Sequence, residues 1–205
     1  RPHASSRHRP RGLEIRHENR DLFVVNKAPG VLTTGTRRDE AFTAENVLNQ
    51  YVRKGCARSR KQVYLVHRLD RETSGVLLFA KTEEAQQRLK ENWKVTEKLY
   101  LAIVRGRLPQ RQGLFSSYLA ENEDLYVHSV DDPAAGKLSQ TAYAVIIETP
   151  AVSAVKIRLL TGRKNQIRVH FAEAGHAVAG DPKYGAGDPF RERLAVTPGG
   201  RQLHV

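Results

Sequence analysis

Residues 139–160 read SQTAYAVIIETPAVSAVKIRLL, two runs rich in Val, Ile, Thr and Ala on either side of Pro150. β-Branched side chains are stiff at χ1 and suit a pleated surface. Proline offers no N–H to a sheet ladder, so it marks the break between the runs. The stretch is expected to form two long strands that fold back on each other as an antiparallel pair. Elsewhere strand-like and helix-like segments do not alternate regularly, and no Gly-rich phosphate loop follows a first strand. That pattern argues against a doubly wound sheet. The expected fold class is α+β: a mixed, mainly antiparallel sheet with helices.

The other segments fit this frame. LFVVNK (22–27) reads as a short buried strand that APG (28–30) breaks. AFTAENVLNQYVRK (41–54) reads as an amphipathic helix, with Thr43 as N-cap and Val47, Leu48 and Tyr51 at helical spacing. VYLVH and GVLLFAK read as strands flanking an RLDRETS loop. TEEAQQRLKENWK (82–94) reads as a second helix, capped by Thr82, with Glu83 and Glu84 beside its positive end. KLYLAIVRG is a further strand, and TGRKNQIRVHFAEAG turns into a helix that Gly175 ends. HAVAGDPKYGAGDPF is turn-rich. Residues 1–12 are basic and aperiodic and are expected to be a disordered tail. Residues 13–205 are expected to be one domain, long enough to bury a core.

Charge narrows the partner. The 34 Lys and Arg against 22 Asp and Glu leave a net charge of +12, which points to a polyanion, nucleic acid first. The longest apolar candidates, such as VSAVKIRLL, carry charges and are too short to span a bilayer, so no membrane partner is expected. The one cysteine, Cys56, admits no intrachain disulfide and fits a reducing compartment, the cytoplasm or an organelle. There are eight His but neither HExxH nor CxxC, and no metal is expected.

The chemical candidate is VHRLDRETSG (66–75), where Asp70 sits among His67, Arg68 and Arg71. Neighbouring cations favour the ionised form of a carboxylate. Such an acid is either a surface ion pair or a nucleophile. Serine chemistry lacks a GxSxG elbow. A glycosidase pair would need Asp70 and Glu72, in a basic setting that suits a neutral sugar poorly. Ahead of this segment, RKGCARSRK (53–61) offers Arg58, Arg60 and Lys61 as phosphate contacts, with a plain solvated face as the alternative.

HRLDRETSG resembles the HRLDxxTSG signature of pseudouridine synthases of the RluA type. DLFVVNKAPGVLTTG is similar to that family's opening strand and turn, KLYLAIVRG to its KxYxAxVxG block, and TGRKNQIRVHFAEAGHAVAGDPKYG to its TGRxHQIRxHxxxxGxPIxGDxxYG block. Four blocks in the family's order cover most of residues 21–185. The resemblance implies a catalytic fold around a basic cleft, and an enzyme that isomerises uridine in structured RNA, ribosomal or transfer. It implies a cofactor-free reaction, with base flipping, by a monomer. An inactive RNA-binding protein or RNA chaperone on the same scaffold is the alternative, and a hydrolytic enzyme that removes the base is another.

By the same resemblance Asp70 is the catalytic carboxylate, Arg168 the cation that pairs with it, and Tyr100 the aromatic that stacks on the target base. Arg68 is the wedge that takes the place of the flipped base. His67 orients the loop and lies among the RNA contacts, with Arg71, Arg163 and Lys164. Two positions depart from the pattern: Ala28 stands where the family often has Pro, and Asn165 where it has His. GRQLHV resembles the family's RxxLHA strand, beyond which relatives continue, so the expectation is either a truncated copy or a gap that another segment fills. No further RNA-binding module is expected ahead of residue 21.

Overall fold

The computed structural model describes residues 10–35, 42–54, 56 and 58–185. They fall into two compact units that divide between Val95 and Thr96. In the first, β1 (Leu13–Glu18), β2 (Leu22–Lys27), β3 (Tyr64–Leu65) and β4 (Gly75–Ala80) form an antiparallel sheet of order β1-β2-β4-β3. Helix α1 (Ala44–Arg53) closes its core, where Phe23, Val25, Leu48, Leu77 and Phe79 have no exposed surface. Burying each such side chain contributes about 1.5–3 kcal/mol. The inward positions of β2 are Phe23, Val25 and Lys27. The period of two that buries the hydrophobes therefore carries an ammonium inside as well.

Both expected N-caps are present. Thr43 Oγ1 accepts from Asn46 N, and Thr82 Oγ1 from Ala85 N, each at 3.1 Å. Each cap is worth about 1 kcal/mol. The second helix, α2 (Glu83–Glu91), stops short of the expected end and tightens into a 3₁₀ turn over Asn92–Lys94. VYLVH is a strand only at Tyr64–Leu65, because the chain leaves the sheet at Val66 to enter the Asp70 loop.

The second unit is a five-stranded antiparallel sheet of β5 (Lys98–Arg105), β6 (Gln112–Glu121), β7 (Val127–Val130), β8 (Lys137–Glu148) and β9 (Val152–Leu159), in the order β5-β9-β8-β6-β7. β8 and β9 are the expected pair, in register from Thr141↔Leu159 to Glu148↔Ser153 with a shift between Val145 and Ile147. β6 and β7 are strands that sequence pattern does not announce. QGLFSSYLAE carries Gln, Gly and Ser, and its eight paired positions on β8 hold it extended. Helix α3 (Gln166–Glu173) packs Val169 against Leu119, Val127 and Tyr184, and Phe171 against Val104, Val155 and Ile157. It ends as expected on Gly175, at φ +81°. There His176 N donates to Phe171 O and Gly175 N to Ala172 O, the paired bonds of a Schellman cap.

Among the described residues no helix is long and apolar enough to cross a membrane. Residues 1–9 of the basic tail and GRQLHV lie outside the described residues, whereas Gly12 O accepts from Ala28 N at 2.8 Å.

Candidate functional site

Asp70 lies in the nine-residue loop between β3 and β4, and the contacts that fix this loop fall on main-chain atoms either side of it. Thr33 Oγ1 donates to Leu69 O at 2.7 Å and accepts from Leu69 N at 3.1 Å. Arg71 O accepts from Gly30 N at 2.9 Å and from Lys27 Nζ at 3.0 Å. Asp70 O accepts from Thr73 N at 3.2 Å, closing a turn. The loop rejoins the sheet at Gly75, whose φ of +130° only glycine adopts without strain. Val66 is buried and Leu69 packs on the core, Asp70 is half-buried, and Arg68 and Arg71 are exposed.

Lys27 is the post under this loop. It pairs with Gly75 in the sheet register, and its three ammonium protons go to Ala28 O, Val31 O and Arg71 O at 3.0, 2.8 and 3.0 Å. Burial lowers its pKa to about 8, against the opposing pull of Glu72 and Asp70. His67 turns inward: its Nε2 accepts from Leu78 N at 3.2 Å and its ring stacks on Trp93 at 4.3 Å. Burial holds it at about 4, so at neutral pH it is an uncharged acceptor. As a neutral ring turned inward, it brings no cation to the surface.

The other cations of this unit face solvent. Arg58, Arg60 and Lys61 are exposed. Arg71 Nε donates to Gly30 O at 3.2 Å and stands 3.7 Å from Glu72, an exposed pair worth little.

In the second unit Arg168 projects from α3 and is gripped by Asp181. Its Nε donates to Oδ2 at 2.7 Å and its Nη2 to Oδ1 at 2.8 Å, while the guanidinium lies 5.1 Å from the Tyr184 ring centre. Asp181 Oδ1 also accepts from Lys183 N and Tyr184 N. Burial alone would raise this carboxyl, but the Arg168 and backbone hydrogen bonds outweigh it and its pKa lies below the ordinary value. Tyr100 is half-buried on β5 against the core. Arg163 and Lys164 are exposed; Arg163 Nε donates to Leu138 O at 3.3 Å and Lys164 pairs with Glu121. Asn165 sits at φ +53° before α3, a left-handed position that Asn tolerates better than most residues.

The model of the family described as RNA pseudouridylate synthase matches residues 21–173. The chain belongs to the RNA pseudouridylate synthase family. The match runs from the residue before β2 to the last residue of α3, and so contains Asp70, Tyr100 and Arg168. An uncharacterized RNA pseudouridine synthase of Bacillus subtilis is 32% identical over 86% of this chain and 62% of its own length. A ribosomal large subunit pseudouridine synthase D of Blochmanniella floridana is 34% identical over 84% of this chain and 54% of its own. The chain therefore spans a little over half the length of these curated relatives. Among solved structures, human RNA pseudouridylate synthase domain containing 1 superposes at TM-score 0.70, with 29% identity, over 88% of this chain and 72% of that one. Human RNA pseudouridylate synthase domain containing 4 does so at 0.71, with 24% identity, over 85% and 69%. The family and the α+β fold are those the four sequence blocks implied.

Two residues that hold these loops are given no role in the sequence reading. Thr33 carries no sequence signal. Asp181 carries one, since an Asp before Pro in GDPKY is a turn-forming acid whose side chain takes the N–H groups two and three residues on. Among the described residues no group of three or more His, Cys, Asp or Glu could hold a metal ion.

Proposed function

We propose that this chain converts uridine to pseudouridine in structured RNA, ribosomal or transfer, with Asp70 as the catalytic carboxylate. The observation that supports it most is the pinning of residues 69–73 by Lys27, Gly30 and Thr33, in a family member whose signature aspartate falls inside that loop. A carboxylate gains catalytic power when its position is set before substrate arrives. One carboxylate suffices, because the base leaves C1′ and rejoins through C5 with nothing hydrolysed. Attack at C1′, attack at C6 and assistance to the departing base all need the ionised form.

In this reading Arg168 is the cation that keeps Asp70 ionised, and Tyr100 stacks on the extruded base. Extrusion costs a few kcal/mol, and Arg68 fills the vacated stack. Arg58, Arg60, Lys61, Arg71, Arg163 and Lys164 meet phosphates, and His67 serves RNA through the loop it orients. The enzyme works as a monomer in the cytoplasm or an organelle, without metal or cofactor.

Incubation with uridine-containing stem-loop RNA, followed by chemical detection of pseudouridine, tests the proposal. Wild type should convert, and Asp70→Asn should bind but not turn over. Binding without conversion by wild type would establish an RNA-binding protein instead, and free uracil a hydrolase. Arg68→Ala should lose more activity on folded RNA than on RNA whose target is already unstacked. Equal losses would remove the wedge.

A further inference from the structure

Beneath α3 a chain of side chains links four elements, α3, β8, β6 and β7. Gln166 Nε2 lies 2.9 Å from Thr141 Oγ1, which lies 2.8 Å from His170 Nδ1. His170 Nε2 lies 3.1 Å from Ser117 Oγ, itself 2.9 Å from Ser129 Oγ, which meets Glu173 Oε2 at 2.5 Å. His170 is 4% exposed and Glu173 reaches the surface. The chain thus runs from a buried amide to an exposed carboxylate.

Its direction is decided at both ends. At the inner end Gln166 can be placed only one way. Its Oε1 accepts from Arg163 N at 3.0 Å and from Thr161 Oγ1 at 2.8 Å, so its Nε2 must donate, to Gln140 O and to Thr141 Oγ1. Thr141 then has one hydroxyl proton left, and His170 Nδ1 is the acceptor beside it. At the outer end a carboxylate only accepts, so the Ser129 proton goes to Glu173. Ser117 must then donate to Ser129 and accept from His170 Nε2. Both ends demand the same imidazole, protonated at Nε2 and bare at Nδ1. The reversed tautomer would leave the Thr141 proton without an acceptor and the Ser117 and Ser129 oxygens, 2.9 Å apart, without a proton between them.

We propose that His170 is a positioning residue, locked as the Nε2–H tautomer by a one-way hydrogen-bond chain from Gln166 to Glu173, and that this chain sets where Arg168 stands. Gln166 and His170 are four apart on one side of α3 and face the sheet, while Arg168 lies between them in sequence and on the other side. The helix has only eight residues. The chain grips one side and Asp181 grips the other, through Arg168. Burial holds the imidazole below its ordinary pKa, against the pull of Glu173, in keeping with a neutral ring. The effect on turnover rests on the role proposed above for Arg168; the tautomer does not.

Long-range ¹H–¹⁵N correlation of the His170 ring reads the tautomer directly. Wild type should show Nε2 protonated and Nδ1 bare, as one species. An Nδ1–H ring, or an averaging mixture, would overturn the proposal. Ser129→Ala cuts the chain at its half-exposed end, away from the RNA-contacting residues. It should yield mixed tautomers and a single-turnover rate about tenfold lower at unchanged RNA affinity, since small misplacements of a catalytic partner are costly. Ser129→Thr should restore both. An unchanged tautomer in Ser129→Ala would refute the one-way chain, and an unchanged rate beside a mixed tautomer would refute its hold on Arg168. A fixed Nε2–H ring in a wild type that makes no pseudouridine would uphold the lock and overturn the proposed activity.

Discussion

The loop that carries Asp70 and the turn that carries Asp181 solve opposite problems with the same two charges. In the first unit a buried cation, Lys27, is occupied by three carbonyls, so that the backbone around a carboxylate is fixed. In the second a buried carboxylate, Asp181, is occupied by four N–H donors, two from Arg168 and two from the backbone, so that a guanidinium is fixed. Motif membership does not separate the two acids. What separates them is where their neighbours' bonds land. The bonds of Lys27, Gly30 and Thr33 hold main chain around Asp70, whereas four N–H groups donate to the carboxylate of Asp181 itself. The lesson is that an acid which holds structure is marked by its burial and by the N–H groups that converge on it.

The strongest way to break that contrast is to remove each acid in turn. Asp181→Ala removes the bidentate partner of a largely buried guanidinium and should cost about 3–5 kcal/mol, read from urea unfolding. Asp70→Asn should cost about 1 kcal/mol or less while abolishing turnover. Comparable losses of stability would erase the distinction.

Lys27→Met comes next. It keeps the side chain's bulk and strips three carbonyls of their donor, so turnover should fall at least about tenfold through misplacement of the loop. The pH dependence sharpens this prediction. With its folded pKa at about 8 against 10.5, Lys27 binds fewer protons folded than unfolded across that window. Its contribution to stability therefore rises with pH from about 8 to 10.5, by on the order of 1–3 kcal/mol. Lys27→Met should lack this rise. A variant that keeps it would show that the lysine is not the buried group that titrates.

The smallest effect belongs to His67. Trp93 is the chain's one tryptophan and stacks on that ring, so its fluorescence reports the imidazole. The ring's folded pKa is depressed from 6.5 to about 4, so its contribution to stability is present above pH 6.5 and is lost as pH falls towards 4. Quenching of Trp93 should have its midpoint near pH 4. A midpoint near 6.5 would mean that the ring is solvated and can meet phosphate as a cation.

Much of this was legible in the chain of residues. Short-range physics placed the caps at Thr43 and Thr82, the Gly175 stop, the β8–β9 pair and the β2 strand. These depend on neighbours within a few positions, where geometry is nearly invariant. The four motif blocks added the family and the aspartate. Tertiary structure alone decided which groups those residues meet: Lys27 reaches Arg71 across 44 positions, Thr33 reaches Leu69 across 36, and His170 reaches Ser117 across 53. It also made strands of the Ser-bearing β6 and the polar β1, and took VYLVH out of the sheet after two residues. Hydrogen bonds between distant segments are selected by sheet register, and register is a property of the assembled core that no single segment encodes.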